Sequence, residues 1–206
     1  VTTKPVIFDA NNGGRIEHIP FLIRTLERMG VSAIVIEDKV DLKKNSLFKS
    51  QTGFRQDSIE NFCAKLKKAK ESKISDDLFI VARIESFILG KNLKDAIRRA
   101  EAYSRSGADA ILIHSKEKKP NQIFSFSKKF QKSIFFKPLI AVPSTYSRTY
   151  EHELIDNGFK VVIYANHFLR AIHPAMVDVA TKILKNQRSF ETEKKISSIY
   201  KVINLV

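Results

Sequence analysis

Apolar residues recur along this chain in two ways, as short continuous runs and as longer stretches with an apolar residue every three or four positions. The continuous runs have strand length and are typical of parallel strands covered on both faces. The longer stretches have the period of amphipathic helices. The predicted strands cover residues 6–9, 32–37, 78–83, 109–114, 139–142 and 160–166. The predicted helices lie near 16–29, 56–71, 92–106, 121–132, 148–157, 167–186 and 191–203.

A glycine stands between a predicted helix and the following predicted strand at three places. Gly30, Gly107 and Gly158 each lie directly after an amphipathic stretch and two positions before an apolar run. A left-handed residue commonly ends a helix, and glycine adopts that conformation without a steric penalty. The pattern therefore predicts repeated αβ units.

Six βα units are compatible with an open doubly wound sheet or with an eight-stranded barrel that lacks two units. Asp9, Glu37, Arg83 and His114 each stand at the carboxyl end of a different predicted strand, which is where barrel enzymes assemble their active sites. No Gly-x-Gly-x-x-Gly or Walker sequence follows a strand, which argues against a nucleotide-binding doubly wound sheet.

We therefore predict the α/β class and a TIM-type (β/α)8 barrel, with six of the eight βα units present and C-terminal helices added. Because a complete barrel typically needs ~250 residues, we expect two units to precede Val1. The expected organisation is one domain over 1–206, incomplete at its N-terminus, with a helical extension at 187–206.

Composition narrows the range of partners. The net charge of +14 suits nucleic acid, anionic lipid or a phosphorylated substrate. The basic residues alternate with apolar ones at helical spacing, as at Lys65, Lys67, Lys68 and Lys70, which predicts solvated helix faces. With one cysteine and no membrane-length apolar run, we expect a cytoplasmic protein without nucleic-acid or membrane partners.

Two acidic residues are candidate metal ligands. Asp9 and Glu37 end adjacent predicted strands, and Mg²⁺ prefers oxygen ligands such as carboxylates. The alternatives are a turn cap for Asp9, and an ion pair with Lys39 or Arg83 for Glu37.

The polar residues at the ends of the third and fourth predicted strands, Arg83 and His114, suggest an anion site. Arg83 and Glu85 alternate at one strand end and should point into the same barrel mouth. Arg83 has the planar donor geometry that holds a phosphoryl or carboxylate group. His114 ends a buried strand, where the alternative to function is a structural histidine. A polar loop at 39–56 is long enough to suggest a functional role.

At these residues the sequence resembles the isocitrate lyase and phosphoenolpyruvate mutase superfamily, and the mutases within it most closely. Lyases of the superfamily carry a catalytic cysteine in the loop after the Glu37 strand, and this chain has none there. Lys43, Asn45 and Ser46 instead match the Lys-x-Asn-Ser gating loop of the mutases. The matching segments are DANNGG (9–14), VSAIVIEDK (31–39), LKKNSLF (42–48), DSIENFCAK (57–65), VARIES (81–86), GADAILIHSK (107–116), VPSTY (142–146) and YANHFLRA (164–171).

The resemblance implies an Mg²⁺-dependent interconversion of phosphoenolpyruvate and phosphonopyruvate, which forms the carbon–phosphorus bond of phosphonates. It assigns the metal to Asp9, to Asn11, which replaces the second family aspartate, and to Glu37 through a water. Arg83 and His114 would hold the phosphoryl group. The loop residues Lys43, Asn45, Ser46 and Leu47 would close over this small anionic substrate, with Asn45 steering the phosphoryl group.

The resemblance also places the phosphoryl-accepting aspartate in the units expected before Val1, so the 206 residues alone are expected to lack activity. Three alternatives remain. The first is a phosphonopyruvate hydrolase, the second is a carbon–carbon lyase of the same superfamily, and the third is a non-catalytic relative that binds an anionic metabolite. Family members form homotetramers in which a C-terminal helix packs on a neighbouring subunit. Residues 190–206 are expected to do the same.

Overall fold

The computed structural model describes residues 3–40, 46 and 53–205. The chain divides into two compact units, Val1–Ile163 and Tyr164–Val206. The expected single domain over 1–206 and its helical extension at 187–206 stay predictions.

The first unit is a parallel sheet with helices between successive strands. Its strands pair in chain order, β1-β2-β3-β4-β5-β6, and every pair is parallel. This sequential order is that of a barrel, whereas the strand order of a doubly wound sheet reverses at a switch point. The prediction of a partial TIM-type barrel is confirmed. The strands are Ile7–Asp9 (β1), Ala33–Glu37 (β2), Phe79–Ile84 (β3), Ala110–Ile113 (β4), Leu139–Ala141 (β5) and Phe159–Val162 (β6). The helices are Ile19–Arg28 (α1), Ile59–Ser72 (α2), Leu93–Arg105 (α3), Asn121–Phe130 (α4) and Glu151–Asp156 (α5).

The hydrophobic core lies between the sheet and these helices. Ile34, Ile36 and Ile80 are fully buried, and the rings of Phe62 and Tyr103 pack with their centroids 4.6 Å apart. All residues of β2, β4 and β5 are buried, as their apolar sequences predict. The same prediction is wrong for β1, whose three residues are exposed, because β1 is an edge strand of the described sheet.

The predicted helix-to-strand glycines adopt the expected left-handed backbone, and two of them offer a matched test. Gly30 has φ +73° and open space where a Cβ would stand, whereas Gly107 has φ +112° and a Cβ there would lie 2.9 Å from Lys70 Cβ. We expect Gly30→Ala to cost about 1 kcal/mol of unfolding free energy, the cost of a left-handed alanine. Gly107→Ala should cost at least about 1 kcal/mol more, because helix α2 must also shift. Urea denaturation of both variants measures the difference, and equal losses would contradict the steric account.

The described part of the second unit contains three helices, His167–Asn186 (α6), Phe190–Glu193 (α7) and Ile199–Ile203 (α8). The predicted strand at 160–166 is too long, because β6 ends at Val162 and Asn166 is a left-handed residue before α6. The predicted helix at 191–203 is also wrong, since α7 ends at Glu193 and a new helix begins at Ile199, capped by the side chain of Ser198. Among the described residues, no helix combines the length and apolar character that a bilayer crossing requires.

Candidate active site

The strand register brings the four predicted strand-end residues to neighbouring positions. Glu37 and Arg83 are direct partners in the pairing of β2 with β3. The backbone N–H of Glu37 donates to the carbonyl oxygen of Asn11 at 2.6 Å, which joins the end of β1 to the end of β2. Because Ile84 pairs with Ile113, His114 follows β4 at the level of Glu85. The four polar ends therefore line one edge of the sheet, as the sequence predicts.

Arg83 is the centre of an ion-pair cluster at this edge. Its Nε lies 2.6 Å from Glu85 Oε1 and 3.5 Å from Glu37 Oε2, and its Nη2 donates to Ser46 Oγ at 2.8 Å. Burial opposes the charge, but the two carboxylates outweigh it and raise the pKa of the guanidinium above its ordinary value. The cluster holds a permanent cation in a fixed orientation at the end of β3.

Glu85 has a larger role than the sequence indicated. It is fully buried, forms an ion pair with Lys39 at 3.2 Å and accepts a hydrogen bond from Ser46 Oγ at 2.8 Å. Burial would raise the pKa of Glu85, but Arg83 and Lys39 lower it below its usual value. The signal that identifies Glu85 is its alternation with Arg83 on one strand end.

One residue of the predicted gating loop is described. Ser46 is buried and contacts Arg83, Glu85 and Lys39 Nζ, the last at 3.2 Å. Its predicted role in closing over the substrate stays a prediction. The predicted residues Lys43, Asn45 and Leu47 lie outside the described residues.

Asp9, Asn11 and Glu37 form a set of oxygen donors beside the cluster. The buried Oδ1 of Asn11 accepts no hydrogen bond within the described part of the chain, and Asn11 has a left-handed backbone, φ +60°. Burial raises the pKa of Glu37 against the opposing effect of Arg83, and the negative charges of Glu85 and Asp9 add to the rise. Such a set fits a hard cation, which would satisfy the orphaned amide oxygen and relieve the repulsion between the acids.

The alternatives considered for the two acids are also observed. Asp9 Oδ1 accepts the backbone N–H of Asn11 at 2.9 Å, which caps the turn, and Glu37 forms an ion pair with Arg83. Over the described residues, no group of three or more His, Cys, Asp or Glu side chains could hold a metal ion. A cation here would therefore depend on two carboxylates and the Asn11 amide, completed by water or substrate.

His114 is a buried neutral imidazole. Burial lowers its pKa to about 4, and the nearby Arg83 contributes to the fall. Its Nδ1 has no hydrogen-bond partner among residues 3–40, 46 and 53–205. At neutral pH, His114 therefore provides a hydrogen-bond donor without adding a positive charge.

Beneath the cluster lies a buried polar network that the sequence did not reveal. Asp38 is fully buried and accepts hydrogen bonds from the backbone N–H of Glu85 at 2.9 Å and from Tyr103 Oη at 2.7 Å. Arg99 Nη1 and Gln56 Nε2 also donate to it, at 3.2 and 2.7 Å. Burial raises the pKa of Asp38 to about 6, against the lowering effect of Arg99. The available signal was Arg99, a charged residue on the apolar face of α3.

The basic stretch of α2 differs at one residue from the solvated face that its spacing predicts. Lys65 is buried, and its Nζ donates to the carbonyl oxygen of Asn12 at 2.6 Å, so the prediction of a solvated side chain is wrong. Burial lowers the pKa of Lys65, against the effect of Asp57. The contact ties α2 to the turn that carries the candidate metal ligands.

Comparison with known proteins identifies consistent similarities. The sequence model of the phosphoenolpyruvate phosphomutase family matches residues 1–184. A phosphoenolpyruvate phosphomutase of Tetrahymena pyriformis is 35% identical over 99% of this chain and 67% of its own length. A phosphonopyruvate hydrolase of a Variovorax species is 34% identical over 98% of this chain and 69% of its length. The chain thus spans about two thirds of these relatives.

Solved structures give the same result. A phosphoenolpyruvate phosphomutase from Streptomyces platensis superimposes with a TM-score of 0.89 at 36% identity, over 99% of this chain and 70% of the other. A phosphonopyruvate hydrolase in complex with oxalate and Mg²⁺ superimposes with a TM-score of 0.85 at 31% identity, over 99% of this chain and 69% of the other.

Proposed function

The chain belongs to the phosphoenolpyruvate phosphomutase family, and we propose that the full-length protein catalyses the interconversion of phosphoenolpyruvate and phosphonopyruvate with Mg²⁺. The observation that carries the proposal is the juxtaposition of the buried Arg83 cluster with the oxygen set of Asp9, Asn11 and Glu37. A fixed cation beside a hard-cation site suits the transfer of a phosphoryl group away from an enolate.

In this proposal Asp9 and Asn11 would ligate the metal, and Glu37 would hold one of its waters. When bound, Mg²⁺ supplies positive charge that stabilises the pyruvyl enolate. That a phosphonopyruvate hydrolase of this fold binds oxalate and Mg²⁺ supports the assignment.

Arg83 and His114 would hold the phosphoryl group. Arg83 keeps its charge at every relevant pH and is oriented by two carboxylates, so it can follow the phosphoryl group without reorganisation. His114 remains neutral and offers a hydrogen bond to a phosphoryl oxygen. Together they would position the group on its path between oxygen and carbon.

The loop would exclude water during the transfer. Ser46, the described residue of this loop, accepts a hydrogen bond from Arg83 Nη2 at 2.8 Å, which supports a role for the loop near the phosphoryl group. Closure by Lys43, Asn45 and Leu47 stays a prediction. Exclusion of water is the feature that separates transfer to carbon from hydrolysis.

Phosphorus NMR of the full-length protein with phosphonopyruvate and Mg²⁺ tests the proposal. We expect the phosphonate resonance to be replaced in part by that of phosphoenolpyruvate. An unchanged spectrum would reject catalysis and favour the non-catalytic alternative.

Phosphonopyruvate hydrolysis is the second candidate function, because the Variovorax hydrolase is almost as similar to this chain as the Tetrahymena mutase. The same NMR experiment separates the two reactions. Appearance of inorganic phosphate, with pyruvate detected by lactate dehydrogenase, would identify the hydrolase.

We expect Asn11→Asp to tighten Mg²⁺ binding by about fivefold to tenfold, since it adds a charged oxygen to the set. Titration of the wild type and the variant with Mg²⁺ by calorimetry measures the change. Asn12→Asp, one residue further along the turn, is the control for added charge. Equal affinities of wild type and Asn11→Asp would exclude Asn11 from the metal site.

Several wider expectations stay predictions. They are the isomerase assignment, a role in phosphonate biosynthesis, the cytoplasmic location, the homotetramer, and the inactivity of the 206 residues alone. Sedimentation analysis of the full-length protein tests the tetramer.

A further inference from the structure

A cavity of about 680 Å³ opens beside the ends of β3 and β4. None of the described residues that line it is a candidate metal ligand or phosphoryl ligand, and Gln56 joins it to the buried network around Asp38. Its walls are formed by the segment before α2, by the turn that follows β3, and by Lys116. The lining residues are Phe54, Arg55, Gln56, Ile88, Leu89, Gly90, Lys91 and Lys116.

The charged residues described around the cavity have one sign. Arg55, Lys91 and Lys116 line it, and no acidic residue among those that the structure describes does so. Across the described residues, no carboxylate lies within ion-pair distance of these three side chains. Three like charges around one concave surface attract an anion, and a low-dielectric wall strengthens the attraction.

The cavity wall also contains an unsatisfied buried acceptor. Gln56 Nε2 donates to Asp38 Oδ2 at 2.7 Å and to Ser86 Oγ at 3.1 Å, which fixes the orientation of the amide. Its Oε1 is buried and accepts no hydrogen bond within the described part of the chain. A buried acceptor without a donor costs free energy, which a ligand hydroxyl or amine would recover.

The remaining wall is apolar and stable. Ile88 is buried, Leu89 and Phe54 are half-buried, and Lys39 Nζ lies 5.9 Å above the Phe54 ring. The Arg55 carbonyl oxygen accepts the backbone N–H of Val40 at 3.0 Å, which anchors this segment to the end of β2. The site thus combines cations, one oriented acceptor and an apolar surface, the features of a small-molecule pocket.

We propose that this cavity binds a small organic anion that carries a hydroxyl or amino donor, such as a hydroxylated phosphate monoester. The anion lies among Arg55, Lys91 and Lys116, the donor meets Gln56 Oε1, and the carbon chain packs on Ile88 and Leu89. The proposal does not depend on the reaction proposed above.

Calorimetric titration of the full-length protein with glycerol 3-phosphate tests the site. We expect Lys91→Ala/Lys116→Ala to weaken binding by about tenfold or more, because two charge-assisted contacts are lost. The matched control is Lys67→Ala/Lys94→Ala, which removes two exposed lysines from α2 and α3 outside the cavity. It should change the affinity by no more than about twofold, as general surface charge is screened by salt.

A second probe examines the role of Gln56. n-Propyl phosphate has the same charge and chain length as glycerol 3-phosphate but lacks the hydroxyl groups. We expect it to bind several-fold more weakly, and equal affinities would exclude the contact with Gln56 Oε1.

Three results would overturn the proposal of the site. The first is that the wild type shows no measurable binding of glycerol 3-phosphate. The second is that the cavity and control double variants lose affinity for it to a similar extent. The third is that Arg83→Lys lowers this affinity while the cavity double variant does not. The last would place the probe at the candidate active site. Circular dichroism of each variant verifies that the fold is retained.

Discussion

Arg83→Lys is expected to lower kcat/KM for phosphonopyruvate by about 100-fold to 1,000-fold, the loss typical of removing one preorganised stabilising donor. The substitution keeps the charge but removes the planar donor group. A lysine ammonium cannot contact Glu37, Glu85 and Ser46 in the geometry that the guanidinium uses. The phosphoryl group would then meet a cation that is neither oriented nor bidentate.

The measurement is the initial rate of phosphonopyruvate consumption, followed by phosphorus NMR at several substrate concentrations. Arg98→Lys is the matched control, since Arg98 is 68% exposed on α3 and pairs only with Asp95 among the described residues. It should retain wild-type kinetics. A loss smaller than about threefold in Arg83→Lys would show that Arg83 does not hold the transferred group.

Asp38→Ala is expected to reduce the free energy of unfolding by about 3–5 kcal/mol, the cost of removing one partner of a buried ion pair. The substitution leaves the buried guanidinium of Arg99 without this carboxylate. It also removes the acceptor of the Tyr103 hydroxyl and of the Glu85 backbone N–H. Because that N–H positions Glu85, the Arg83 cluster should loosen as well.

Urea denaturation followed by circular dichroism measures this loss. Asp76→Ala is the control, because Asp76 is fully exposed and lies 3.9 Å from Lys73. Surface changes of that kind usually alter stability by no more than about 0.5 kcal/mol. The loss of unfolding free energy in Asp38→Asn should lie between those of Asp38→Ala and Asp76→Ala. Asparagine keeps the shape of the side chain but replaces one acceptor oxygen by a donor that faces Arg99, Tyr103 or Gln56. A loss below about 1 kcal/mol in Asp38→Ala would contradict the structural role assigned to the network.

Much of the fold was predictable from local patterns. Continuous apolar runs located the six strands of the described sheet, and the glycines at 30, 107 and 158 located three helix ends. The errors fall where local pattern is a poor guide. The exposure of β1 depends on its position at the edge of the sheet, and the break before α8 depends on the Ser198 cap.

The candidate site was predictable in part. Asp9, Glu37, Arg83 and His114 end successive strands, and parallel strands place their carboxyl ends at one edge. The sequence shows Glu85 in alternation with Arg83 on one strand, but its ion pair with Lys39 and its contact with Ser46 depend on the tertiary structure. Lys65 appeared solvated in the sequence, because helical spacing does not show that the Asn12 carbonyl lies within reach.

The sequence by itself determined the βα order, the family and the polar residues at four strand ends, because each of these depends on neighbours in the chain. Only the tertiary structure decided which charges meet. Arg99 and Tyr103 reach Asp38 across 61 and 65 positions of the chain. Such contacts depend on strand register and on the packing of α3 against the sheet, and burial then determines their strength by removing water from around the charges.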